Sequence, residues 1–189
     1  MTAPREGLTG AVLVATPELS DFFDRAVVLV LHHDEEGTQG VVLNKPMEAR
    51  VDAVLPQWHA HVSVPPRLYQ GGPVGLDSAI GLVRMPDGQP AESMVGVNLL
   101  TGGVGLVDLD APAEVVMPQV NAMRVYVGYA GWTAGQLAEE IDDGAWQVID
   151  ADPDDPFWPD TSRMWRAVLA RQRNPVSWLT TYTEHPDQN

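Results

Sequence analysis

Residues 25–46 read RAVVLVLHHDEEGTQGVVLNKP, and this stretch decides the fold. Residues 27–31 form an unbroken apolar run with three valines, the composition of a strand buried on both faces. Asp34, Glu35, Glu36 and Gly37 pack poorly and turn well. Val41, Val42 and Leu43 make a second β-branched run, so the whole reads as a hairpin through the middle of a core. Asn44, Lys45 and Pro46 end the second strand, because proline offers no N–H to a ladder. A hairpin this apolar is stable only inside a larger sheet with covers on its faces.

The rest of the chain supplies candidates for those strands and covers. Residues 8–15, 67–70, 80–85, 123–128 and 145–149 read as strands, and the glycine-interrupted 98–109 reads as one strand or a bulged strand. Thr16 and Pro17 open a short helical turn. Short helices are expected at 51–55 and 111–117, while 57–66 and 86–93 read as loops. Thr133 and Gln136 match a capping box, with Trp132 and Leu137 as its hydrophobic staple and Gly144 as the left-handed residue past the helix end. Asp160 is expected to cap a second helix reaching about Arg173, with Met164, Trp165, Val168 and Leu169 as its apolar stripe and Asn174-Pro175 as its stop. The tract DADPDDPFWPD at 150–160 is an acidic connection, and residues from about 183 form a loose tail. Strands outnumber helices and most connections are too short for repeated crossovers. The expectation is one α+β domain over residues 1–189, a central largely antiparallel or mixed β-sheet with a few packed helices.

Composition narrows the function classes. The 189 residues suit one domain, and 44% are hydrophobic, as in a folded globular protein. Eleven Lys and Arg stand against 26 Asp and Glu, a formal net charge of −15. Such a charge disfavours nucleic acid and anionic membranes as partners. No cysteine is present, which excludes disulfides and thiolate chemistry. No secretory signal and no membrane-spanning apolar run are visible, so a cytoplasmic location is expected.

The usual chemical signatures fail on inspection. Asp150, Asp152 and Asp154 match the first ligands of a calcium loop, but Asp155 stands where glycine is needed and Thr161 where a bidentate glutamate is needed. A solvated acidic loop explains them better. His32, His33 and Asp34, and His59 with His61, lack the spacing of zinc sites. No G-x-S-x-G elbow and no phosphate-binding glycine loop occurs, so GGPVG at 71–75 and GGVG at 102–105 read as tight turns or close backbone approaches. Arg163, Arg166, Arg171 and Arg173 hold four of the eleven basic residues, and Arg163, Arg166 and Arg173 read as an exposed helix face opposite the apolar stripe. Trp132, Trp146 and Trp165 have packing duties, whereas Trp58, Trp158 and Trp178 lie in irregular segments where exposed aromatics would mark a binding surface.

Five motifs carry a resemblance: ATPELSD from Ala15, VLVLHHDEEGTQGVVLNKP from Val28, YQGGPVG from Tyr69, TGGVGLVDL from Thr101 and GYAGWTAGQLAEEI from Gly128. With them the chain resembles the YqgE/AlgH family of bacterial proteins over about residues 8–160. The resemblance implies a single α+β domain with a central sheet, and a family in which most members have no established activity and some carry the label of transcriptional regulator. It brings no catalytic residue, metal or cofactor.

The leading expectation is a non-enzymatic regulatory module that binds a protein partner or small ligand, with no cofactor. Its candidate surface comprises Asn44, Gln70, Gly72, Trp132 and Gln136, at turns able to gather at one edge of the sheet. The alternative is an enzyme using an unrecognised acid–base set such as His32 and Asp34. Direct DNA binding comes third, against the charge.

Overall fold

The computed structural model describes residues 7–88 and 94–172. The strands are β1 (Val12–Ala15), β2 (Val27–Asp34), β3 (Gly37–Val42), β4 (Pro46–Arg50), β5 (Arg67–Gln70), β6 (Val74–Arg84), β7 (Val97–Thr101), β8 (Val104–Val107), β9 (Ala122–Thr133) and β10 (Trp146–Ile149). Among the described residues three short helices accompany them: α1 (Ala113–Val116), α2 (Gln136–Asp142) and α3 (Met164–Ala170). The strands form one curled sheet in the order β10-β1-β2-β3-β9-β6-β8-β7, with β4 paired to β5 and β5 paired to β9. Every pairing is antiparallel except β5 with β9. This is the expected α+β architecture.

The β2–β3 hairpin runs through the core as its composition demands. Val27, Leu29, Val41 and Leu43 face one apolar cluster, and Val28, Val30 and Val42 face another. The period of two divides each strand between two covers. The first cluster is closed by α3, whose Met164, Trp165, Val168 and Leu169 are all buried. The second is closed by Leu137 of α2 with Trp132 and Trp146. A third cluster under the β6, β8 and β9 half holds Val83, Val107, Met123, Val125 and the fully buried Trp58.

β9 ties the two halves together, and a phase slip lets it do so. Met123 and Val125 face the third cluster and Tyr126 the first, so even positions point to the first cluster. Beyond Gly128, Tyr129 packs on the first cluster while Ala130 and Trp132 face the second. Gly128 has φ +73° at the slip, a left-handed conformation that glycine adopts freely. The loop between β5 and β6 seats itself there: Gly71 N–H donates to the Val127 carbonyl and Val42 N–H donates to the Gly71 carbonyl. A Cβ on Gly72 would drive into the backbone of Tyr129 and Ala130 at well under 3.0 Å. The glycines of YQGGPVG and GYAG therefore serve one close crossing of backbones.

Several local expectations need correction. Pro46 begins β4 rather than stopping the sheet, since it lies opposite Tyr69 on an outlying strand. Residues 98–109 form a hairpin, not one strand, because Gly103 at φ +89° turns β7 into β8. Thr16 opens no helix: its hydroxyl donates to the Gly144 carbonyl, and a 3-10 turn follows later at Asp21–Phe23. Thr133 is the last residue of β9, so Gly135 rather than Thr133 precedes the helix, although Gln136 Oε1 does accept the Thr133 N–H at 3.0 Å. Asp160 closes a turn onto Ser162 while α3 starts only at Met164, with no side-chain cap. Gly144 at φ +85° ends α2 as expected. The residues Arg173, Asn174, Pro175, Trp178 and the tail from about 183 lie outside the described residues, as does 89–93 of the expected loop.

Candidate functional site

The five residues expected on one surface occupy two places. Asn44 follows β3 and clamps the hairpin base: its Oδ1 accepts the Val27 N–H at 3.0 Å and its Nδ2 donates to the Arg25 carbonyl at 2.8 Å. Gln70 sits beside it, its N–H donating to the Lys45 carbonyl and its Nε2 to the Gly72 carbonyl. Gly72 is buried against β9. Trp132 and Gln136 gather instead around Glu140, which accepts from Trp132 Nε1 at 2.9 Å, Trp146 Nε1 at 2.8 Å and Gln136 Nε2 at 3.0 Å. Trp132 lies five residues along β9 from Val127, which pairs with Gln70. At strand rise that is about 16 Å.

The Glu140 knot fastens α2 to two strands with charge-assisted bonds. Glu140→Leu leaves both indole N–H groups without their acceptor and is expected to destabilise the fold by about 2–4 kcal/mol. Urea denaturation followed by tryptophan fluorescence checks this, with the midpoint falling at unchanged slope.

Around Asn44 the surface opens into two adjoining hollows. The first, about 340 Å³, is lined by Pro46, Arg67 and Tyr69 on one side and by Pro159 and Asp160 on the other. The second, about 220 Å³, is lined by Asp24, Arg25, Lys45, Trp165 and Arg166. Asn44, Thr161 and Ser162 line both, so the hollows form one groove between the β3–β4 connection and the segment entering α3. That segment is set by Asp160, whose Oδ1 accepts from Ser162 N–H at 3.0 Å and from Ser162 Oγ at 2.6 Å. Those bonds hold the Asp160 carboxyl below the usual carboxylate range.

The groove is cationic on an acidic protein. Arg25, Lys45, Arg67 and Arg166 line it against Asp24 and Asp160. Lys45 Nζ donates to the Asp24 carbonyl at 3.0 Å, and burial pushes its pKa below the ordinary lysine value. Arg25 is a non-glycine residue at φ +53°, with its guanidinium 5.4 Å from the Trp165 ring centre. Beneath Tyr69, the guanidinium of Arg124 lies 4.4 Å from the ring centre and is 1% exposed. Its protons go to the Pro156, Trp158 and Val64 carbonyls rather than to a carboxylate, and Arg124 Nε is buried with no partner among the described residues.

Sequence reasoning did not single out Arg124, Arg67, Tyr69 or Ser162. One signal was available: Arg124 and Tyr126 are two apart on a strand and share a face. The Tyr126 hydroxyl donates to the Pro156 carbonyl at 2.7 Å, and burial raises its pKa far above the ordinary tyrosine value.

The other chemical candidates resolve into structure. His32 Nε2 and Asp34 Oδ2 are 2.7 Å apart, but their side chains are 64% and 44% exposed at the hairpin tip. Asp34 Oδ1 accepts the Glu36 and Gly37 N–H groups, the work of a turn residue, and the His32 contact together with these bonds lowers its pKa. His59 and His61 follow a 3-10 turn at Pro56–Trp58, in the segment expected to be a loop. Trp58 is not an exposed aromatic: it is fully buried and its Nε1 donates to the Leu109 carbonyl. The acidic tract is not simply solvated. Asp155 is 0% exposed and accepts from both terminal nitrogens of Arg171 at 2.6 and 2.7 Å. Asp154 pairs with Arg84 at 3.0 Å. Among the described residues, no cluster of three or more His, Cys, Asp or Glu is placed to hold a metal ion, and no helix is long and apolar enough to cross a membrane.

A family model described as AlgH-like matches residues 12–177. The chain belongs to the AlgH-like family. An UPF0301 protein of Streptomyces coelicolor is 47% identical over 96% of this chain and 95% of its own length. An UPF0301 protein of Thermobifida fusca is 45% identical, covering 98% and 97%. A crystal structure of a Corynebacterium diphtheriae protein superposes with a TM-score of 0.88 at 35% identity, covering 96% of this chain and 95% of that one. The solution structure of the AlgH protein from Pseudomonas aeruginosa matches with a TM-score of 0.66 at 29% identity, covering 98% and 99%. The AlgH-like fold thus extends over nearly the whole chain.

Proposed function

We propose that this AlgH-like protein is a non-enzymatic binding module of the bacterial cytoplasm that acts in regulation by seating a small ligand or a segment of a protein partner in the groove around Asn44. The observation that carries the reading is the groove itself, where a rigid hairpin base meets the entry to α3 and cationic, hydroxyl and aromatic groups line the space together. Concave sites with a few convergent polar groups are the usual seats of ligands. The His32–Asp34 pair supports an acid–base enzyme poorly, because general acid–base groups work in shared, water-excluding pockets and this pair stands on an exposed turn. Against DNA stands the overall charge of −15, since duplex binding draws its affinity from a broad basic surface.

The test is comparative capture from native cytoplasm with wild type and Ser162→Trp, an exposed position whose enlarged side chain fills the groove. Mass spectrometry of proteins and small molecules is expected to show at least one species retained by the wild type and lost from the variant. Identical retention by both would overturn the reading.

A further inference from the structure

We propose that the groove takes a small anionic ligand, a molecule bearing a phosphate or carboxylate beside an apolar ring, with its charge near Arg67 and Lys45 and its ring against Pro46, Pro65 and Pro159. The inference rests on the binding-module reading and names the class of what is bound.

Three independent features carry it. The first is the local reversal of charge, with four basic side chains against two acidic ones along a groove on a chain of net −15. A cleft with one sign of charge and low-dielectric walls focuses its field outward and concentrates ligands of opposite charge. The second is Arg124. Its terminal nitrogens donate to three backbone carbonyls, and carbonyl dipoles solvate a cation without neutralising it as a carboxylate would. Its guanidinium stacks on buried Tyr69, whose residue lines the groove, so the charge lies close beneath the groove floor. The third is the wall chemistry: Pro46, Pro65 and Pro159 give flat apolar surfaces next to Arg67. An anion carrying a ring satisfies both halves of that lining, whereas a bare ion leaves the apolar half wet. Lys45 fits the scheme as well, since burial has lowered its pKa and an arriving anion would raise it again.

Phenyl phosphate, benzoate and the neutral analogue benzamide are titrated into the ¹⁵N-labelled full chain at low salt, with amide shifts as the readout. The expected result is saturable shifts at Asn44, Lys45, Thr161 and Ser162 with one or both anions and little response to benzamide, weakening as salt is raised. Which anion binds more tightly tells phosphate from carboxylate. Arg67→Gln is expected to weaken binding about tenfold, the effect of one lost charge-assisted hydrogen bond, while Arg50→Gln changes nothing because Arg50 is paired with Asp52 outside the groove. Equal shifts with benzamide would overturn the anionic class and leave the groove a binding site. No saturable shift with either anion, or shifts lying outside the groove, would overturn the inference while leaving the capture experiment to judge the binding module by itself. Unchanged affinity in Arg67→Gln together with Lys45→Gln would also overturn it.

Discussion

Gly72→Ala is expected to lose at least about 3 kcal/mol of stability and, in a domain of ordinary stability, much of its cooperative folding. The added methyl group meets the Tyr129 and Ala130 backbone, not a side chain able to rotate away. Relief therefore requires separating the β5–β6 loop from β9, which breaks the Gly71 bonds to Val127 and Val42. Gly102→Ala is the matched control. It lies in the β7–β8 turn with nothing within 4 Å of a new Cβ, and its expected change is within about 0.5 kcal/mol. Urea midpoints and the dispersion of amide spectra measure both variants. A folded Gly72→Ala with an unmoved midpoint would remove the account given of the crossing.

The second large effect belongs to Arg171→Met. Asp155 is wholly buried, and its carboxylate is held by the two terminal nitrogens of Arg171 and by the Asp152 N–H. Removing only the cation leaves a buried charge with one neutral donor, which typically costs about 3–5 kcal/mol. Arg171 is 31% exposed, so water relieves part of this and the lower end of that range is expected. The double variant Asp155→Leu, Arg171→Met removes both charges and is expected to recover more than half of the loss. The comparison of the single and double variants by urea denaturation separates charge pairing from packing. If the single variant matches wild type, the pair does not hold the acidic tract to α3.

The central hairpin was legible because its signal is local and redundant. Two valine-rich runs flank four polar turn residues, and no other arrangement of residues 27–43 buries both faces. The α2 end at Gly144 and the α3 stripe were legible for the same reason. What escaped was decided by partners distant in the chain. Pro46 reads as a stop, yet it is the first residue of β4, opposite Tyr69 on the outlying pair with β5, a position that tolerates proline. Thr133 reads as a helix cap because nothing in the sequence tells that β9 runs on to pair with Gly37. Asp155 sits among exposed acids, and only Arg171, sixteen residues later, reveals it as buried. The groove was half legible: Asn44 stood out at the hairpin base, whereas Arg124 resembled the polar partner of an alternating strand until Tyr69 and the 156–158 carbonyls closed over it.

The phase slip at Gly128 has a bearing on how the molecule comes apart. One strand donates and accepts for β3 on one side of that glycine and for β5 and β6 on the other. Neither half of the sheet can melt without cutting the ladder of its neighbour, so the curled sheet behaves as a single cooperative body even though its apolar interior is split three ways.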